Sequence, residues 1–376
     1  MRPDGDLAWK VRHQVRMGRL RKSALVLAAL IVAGSLLASM VASGIISVPL
    51  DGVTLSRDSA WVMRITQAER LWDMGYDGTG VTICLVDTGI DSLHPDLARA
   101  RIAAWKDLVS GERLPYDDGG HGTAMAGLMV ADGRFRGLAP GASLIVVKAL
   151  RSNGTGSSET VGRAIGFCMD PDGDGDLRDG ADIISLSLGA QRTPFTTNAA
   201  ANAAEEATLM GIFVVSSAGN DGREDDGDVG TPANEPLVMA VGSLNHRLEI
   251  AAFSSKGNNS PLVKPPRLDP HRKPEFVLPG VGLMTTARGS SYTVMTGTSA
   301  SAALLSALLA LLLQAHPEYR KAGAEGLREV KMVLMHTSLR LPGQQLPHDD
   351  YYGYGLVQVS DAHLLLNAYS EERDAG

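Results

Sequence analysis

The sequence predicts an α/β fold, three layers deep around a mainly parallel central sheet and preceded by one N-terminal transmembrane helix. Three observations carry this. Between Val81 and Ser338, apolar runs of strand length alternate with helical patterns. Those runs are largely apolar, not apolar only at every second position, as strands covered on both faces require. Ahead of them, Ser23–Leu50 runs for 28 residues without a charge, beyond the roughly 20 that a membrane span needs.

The basic segment 1–22 comes first, with seven Lys and Arg against two Asp, a net charge of +5. The whole chain carries −7, so the remainder carries −12. A basic flank ahead of an apolar span places the N-terminus in the cytoplasm and the body outside. A transmembrane helix is therefore expected over 23–48, as a single-pass signal anchor. Secretion after cleavage near Ala42 and Ser43 is the alternative, although the apolar region of a secretory signal is only about 7–15 residues long. A linker over 49–60, a globular body over 61–370 and a tail over 371–376 complete the order. Extended, that linker reaches at most about 40 Å, which would keep the body close to the bilayer.

Within the body, strands are expected at Val81–Val86, Ser143–Leu150, Ile183–Leu188, Ile212–Ser216 and Leu237–Val241. Helices are expected at His121–Ala131, Glu159–Cys168, Asn198–Met210, Ser299–Gln314 and Gly326–Ser338. The run Ala300–Leu313 is almost wholly apolar but short for a span, and reads as a core helix. With 44% hydrophobic residues and 20% charged, neither a nucleic-acid binder nor a disordered acidic chain is expected. Cys84 lies in an apolar strand and Cys168 ends a helical pattern, without metal-ligand spacing. Buried free thiols are expected there, while a location outside the cytoplasm would permit a disulfide.

Chemistry first shows in ICLVDTGIDSLHPDL, residues 83–97. An apolar strand ending in Asp-Thr-Gly can present a catalytic carboxylate, orient a histidine, or simply close a turn. Three further stretches bear on the choice: DDGGHGTAMAG with His121, FVVSSAGNDG with Asn220, and MTGTSASAALL with Ser299. Singly, each has a plain reading as a surface histidine, a turn or a helix N-cap. Together they supply a carboxylate, an imidazole, an amide and a hydroxyl at strand ends and helix starts, which are the parts of an acyl-transfer site. Paired-carboxylate chemistry needs a second such Asp, and only one Asp-Thr-Gly occurs. A Gly-x-Ser-x-Gly elbow with the order Ser, Asp, His also fails, because Gly297-Thr298-Ser299-Ala300-Ser301 lacks the last glycine and the order is Asp, His, Ser.

That order, with these motifs, resembles the subtilisin-like serine proteases (subtilases, the peptidase S8 family) over roughly Trp61 to Leu366. VDTGID resembles the family's Asp motif, GGHGTAMAG its Gly-His-Gly-Thr-His-Val-Ala-Gly, and GTSAS its Gly-Thr-Ser-Met-Ala. SSAGN resembles the segment carrying the oxyanion amide, and ADIISLSLG, AAFSSKG and YGYGLV have counterparts in order. The resemblance implies a subtilisin-like fold with Asp87 as orienter, His121 as general base, Ser299 as nucleophile and Asn220 as oxyanion donor. It implies further that substrate backbone pairs, as an added strand, with Gly154-Thr155-Gly156 and Ser187-Leu188-Gly189.

The implied function is a membrane-anchored serine endopeptidase facing outside; the alternative is an inactive pseudoprotease that binds extended peptides. Ala124 stands where the family has a second His, and Ala300–Leu304 replaces its Met-Ala-Ser-Pro-His. The family usually carries a propeptide, for which no room is expected between Leu50 and Trp61. Polypeptide substrate and membrane are the expected partners, with no nucleic acid, and the chain is expected to work as a monomer. No cofactor is expected for the chemistry. A structural calcium is the one candidate ion: Asp170, Asp172, Asp174, Gly175 and Asp176 match positions 1, 3, 5, 6 and 7 of a calcium loop, although Ala181 stands where position 12 needs Glu.

Overall fold

The structure is a computed structural model that describes residues 56–189, 198–222, 227–260 and 267–375. The basic segment and the expected transmembrane helix lie outside the described residues. In chain order the elements are α1 (Ser56–Ile65), α2 (Ala68–Asp73), β1 (Thr82–Asp87), β2 (Ile102–Asp107), α3 (His121–Val130), β3 (Ser143–Lys148), α4 (Ser158–Met169), β4 (Ile183–Leu186), α5 (Ala199–Leu209), β5 (Phe213–Ser217), β6 (Met239–Leu244), β7 (Phe276–Pro279), β8 (Leu283–Ala287), β9 (Ser291–Met295), α6 (Thr298–Ala315), α7 (Gly323–Thr337) and α8 (Val359–Ala375). Seven strands form one sheet in the order β2-β3-β1-β4-β5-β6-β7, every neighbour parallel, while β8 and β9 form a separate antiparallel hairpin.

Alternation along the strands builds two cores. Ile83 and Leu85 of β1, with Leu144 and Val146 of β3, pack against α3 and α6; Cys84, Val86, Ile145 and Val147 face α4 and α5 on the other side. This is why the strands read as unbroken apolar runs. The helix α6 is buried all round from Ala300 to Leu313, as expected of a core helix. The chain fills the sheet first to one side of β1, with β2 and β3, then to the other from β4 onward. Such a reversal opens a crevice at the carboxyl ends of the strands, and Asp87 is the last residue of β1.

Some expectations need correction. Helix α1 spans the expected junction of linker and body, and α8 extends into the expected tail as far as Ala375. The edge strands β2 and β7 were not expected; β2 is half open to solvent and β7 has four residues ending in Pro279, so neither carries a long apolar run. Cys84 and Cys168 are not free thiols but a disulfide with Cα atoms 5.7 Å apart. Cys84 faces α4, whose last turn carries Cys168, and a sequence separation of 84 hides that proximity from the sequence.

Candidate active site

Asp87 is fully buried at the end of β1. Its Oδ1 accepts the Thr88 N–H at 2.7 Å, and its two oxygens lie 2.8 and 2.9 Å from His121 Nδ1. Its carbonyl accepts the N–H groups of Ala149 and Leu150, which ties the turn to the end of β3. The glycine of Asp-Thr-Gly has a steric reason. Gly89 has φ +121°, and a Cβ there would fall 2.0 Å from the Tyr116 carbonyl oxygen, so no side chain fits.

His121 opens α3 behind Gly120, which has φ 89° and no side chain with which to cap the helix. Asp117 does that work from farther back. Its Oδ1 accepts from Gly119 N, Gly120 N and Thr88 Oγ1, and its Oδ2 from the N–H and hydroxyl of Thr123. Burial would raise the Asp117 pKa, but these bonds, the Thr123 hydroxyl foremost, hold it below the usual carboxylate value. The sequence reading passed over Asp117; an Asp just ahead of glycines and a helix start was the signal available.

A carboxylate can only accept, so Nδ1 of His121 carries a proton and Nε2 presents its lone pair. The side chain is 29% exposed, which leaves that edge reachable. Burial lowers the imidazole's proton affinity, but the charge and hydrogen bond of Asp87, with the charge of Asp117, outweigh it and raise the pKa above 6.5.

Ser299 is the second residue of α6, half-buried, behind Gly297. The first residue, Thr298, gives both its N–H and its hydroxyl to Asn220 Oδ1, each at 2.9 Å. With its oxygen so held, Asn220 has only its amide N–H groups to offer. The Ser299 N–H belongs to the first turn of α6, where N–H groups lack helical partners and the helix dipole favours negative charge. The Ser299 hydroxyl donates to the Ser187 carbonyl at 3.1 Å, and the Ser187 hydroxyl donates back to the Ser299 carbonyl at 3.0 Å.

The four residues therefore gather at the carboxyl edge of adjacent strands β1, β4 and β5, in two bonded pairs: Asp87 with His121, and Asn220 with Ser299 through Thr298. Among the described residues no hydrogen bond joins the pairs. The expected substrate segments lie at the same edge but are not strands in the sheet. Gly154 and Thr155 lie in a turn in which the Arg151 N–H bonds the Thr155 carbonyl and the Gly154 N–H bonds the Arg151 carbonyl, and Ser187–Gly189 continues beyond β4. Among the described residues neither pairs with a strand; the Gly154 and Thr155 N–H groups and the Thr155 carbonyl are bonded within their own turn, and the Leu188 carbonyl accepts from the Ser216 and Ser217 hydroxyls.

At the far end of α4, Asp170, Asp172 and Asp174 bring carboxylate oxygens within 4.8 Å of one another. Asp170 accepts N–H groups from Gly173, Asp174 and Gly175. The Asp174 N–H bond lowers the Asp172 pKa, but desolvation and the charges of Asp174, Asp179 and Asp170 together raise it. An all-carboxylate set fits a hard cation such as calcium. Asp176 does not join the group, because Arg178 engages it at 2.6 Å through Nε.

A family model described as "Subtilase family" matches residues 78–355. The chain is similar to subtilisin E of Bacillus subtilis (strain 168), with 31% identity over 301 residues, 79% of this chain and 69% of that protein. It is 31% identical over 313 residues to a thermostable alkaline protease of Halalkalibacterium halodurans, covering 82% and 75% of the two chains. Against serine protease AprX of Bacillus subtilis (strain 168), identity is 33% over 314 residues, 76% of this chain and 66% of that one.

Proposed function

The chain belongs to the subtilase family, and on that premise we propose that it is a serine endopeptidase working through Asp87, His121 and Ser299. The observation that carries this reading is the buried Asp87 carboxylate set with both oxygens against His121 Nδ1. In the proposed reaction the Ser299 hydroxyl leaves the Ser187 carbonyl and attacks the scissile carbonyl, giving its proton to His121 Nε2. Asp87 holds the imidazole in the required tautomer and stabilises the imidazolium. The tetrahedral oxyanion takes hydrogen bonds from the Asn220 amide and the Ser299 backbone N–H. His121 then delivers the proton to the leaving amine, and water repeats the sequence on the acyl-enzyme. Substrate backbone lies along Ser187–Gly189 and Gly154–Gly156.

The body works outside the cytoplasm, held by the helix at 23–48. The Cys84–Cys168 disulfide supports this, since such bonds persist in oxidising compartments. Calcium at Asp170, Asp172 and Asp174 would neutralise a crowded loop far from the chemistry and takes no part in it. The chain cuts as a monomer.

Cleavage of an unstructured protein substrate by the purified chain, beside Ser299→Ala, tests the reading: wild type cuts and the variant does not. A second reading, a pseudoprotease that binds extended peptides, draws on the Ser299 hydroxyl being bonded to Ser187 and not to His121. Peptide binding by wild type without any cleavage would favour it.

A further inference from the structure

Asp87, His121 and the expected peptide-binding segment stand on separate stretches of chain, and one buried cation touches all three stretches. Lys148 is the last residue of β3 and has no exposed surface. In the parallel register it stands beside Asp87 of β1 and Asp107 of β2, so the three side chains leave the sheet on one face. An unpartnered ammonium there would be costly. Its Nζ donates to the Thr88 carbonyl at 2.7 Å, the Asp118 carboxylate at 2.5 Å and the Leu150 carbonyl at 3.1 Å. Three donors meet three acceptors, which uses the whole capacity of the group. The Tyr116 ring lies 5.1 Å from the ammonium.

Each acceptor belongs to a different working part. Thr88 gives its N–H to Asp87, and its hydroxyl joins Asp117 and Gly122. Asp118 stands three residues before His121. Leu150 bonds the Asp87 carbonyl and begins the stretch leading to Gly154–Gly156. The Asp118 side chain is 45% exposed, so water alone could solvate it. What it gains from Lys148 is a fixed place.

We propose that Lys148 is a positioning residue for peptide hydrolysis: paired with Asp118, it holds the loop leading into α3 and His121 in register with the Asp87 turn. This rests on the protease reading above. A lysine that merely filled the fold would, on removal, lower stability and leave turnover at each competent site unchanged. A positioning lysine lowers turnover itself.

The test counts competent sites by fluorophosphonate titration and measures kcat and KM per site. Lys148→Met keeps the length of the side chain without its charge. Asp118→Ala and Asp118→Asn probe the same pair from an exposed position where folding is not at stake. Because a displacement near 1 Å at a catalytic group can cost about a hundredfold, Lys148→Met should lose at least roughly tenfold in kcat with KM within about threefold. Asp118→Ala should lose roughly tenfold, and Asp118→Asn, whose amide oxygen still accepts from Nζ, should recover most of it. Unchanged kcat per site in folded Lys148→Met overturns the proposal. If that variant does not fold, equal turnover in Asp118→Ala, Asp118→Asn and wild type overturns it instead. Wild type that neither labels nor cleaves defeats the protease reading, and this proposal with it.

Discussion

Asp87 meets no solvent, and both its oxygens face a single nitrogen of His121. That contact has a consequence in solution. His121 binds its proton more tightly than an ordinary imidazole of pKa 6.5; burial opposes this, while Asp87 and then Asp117 outweigh burial. A general base works unprotonated, so kcat/KM should rise with pH through a midpoint above 6.5. Asp87→Asn should move that midpoint down and lower kcat by about ten-thousand-fold. A midpoint unmoved by the substitution would mean that Asp87 does not set the state of His121. Asn220 supports a separate prediction, because Thr298 occupies its oxygen and leaves only its N–H groups for a substrate. Asn220→Ala should lower kcat by about 100- to 1000-fold with little change in KM, a magnitude known from subtilisin itself and not deduced from this geometry. A large rise in KM at constant kcat would instead make Asn220 a ground-state contact.

Among the elements, β7 is an edge strand, and α7 is fastened beside it by buried charge. Glu275, just before β7, accepts from Lys273 at 2.8 Å and from Lys331 of α7 at 2.7 Å, and none of the three is exposed. Burial first, and then the neighbouring Lys331 charge, push the Lys273 pKa down to about 7 against the pull of Glu275. The unfolded chain, with lysine near 10.5, therefore binds a proton between about pH 7 and 10.5 that the folded chain does not. Stability from this group is complete above that window and is lost as pH falls through it. Urea unfolding at pH 7, 8.5 and 10 should show the wild type gaining stability with pH relative to Lys273→Met; parallel curves would refute the linkage. The loop after α4 gives a second prediction at this scale. If Asp170, Asp172 and Asp174 hold calcium, millimolar calcium should raise Tm by mass action, and Asp172→Asn should abolish the rise. A Tm indifferent to calcium would leave the loop a solvated acidic turn.

Across the whole molecule, what was legible in the sequence follows from burial. The central strands are covered on both faces, so Val81–Val86 and Ser143–Leu150 stood out as apolar runs and recur as β1 and β3. Helix α6 announced itself in the same way. Edge strands β2 and β7 did not, because one is half open to solvent and the other is very short. In the candidate site the proposed reacting side chains, Asp87, His121, Asn220 and Ser299, were singled out by motif and order, whereas most of the groups bonded around them were not. The bonds of Asp117 to Gly119, Gly120 and Thr123 are local, and its place ahead of glycines and a helix start was a signal in the sequence, whereas Lys148 bonds Thr88, Asp118 and Leu150 across segments that only the folded register brings together. The disulfide was illegible for the same reason, since strand register and helix position decide whether Cys84 and Cys168 face each other.

The central claim is that Ser299 is a nucleophile activated by His121 and Asp87, and one measurement addresses it directly. Wild type, Ser299→Ala and His121→Ala would each be treated with a fluorophosphonate and the adduct located by peptide mass spectrometry. The account predicts a single adduct on Ser299 in wild type, none in Ser299→Ala, and labelling slowed by several orders of magnitude in His121→Ala. Folded wild type that stays unlabelled, or labels no faster than His121→Ala, would contradict it.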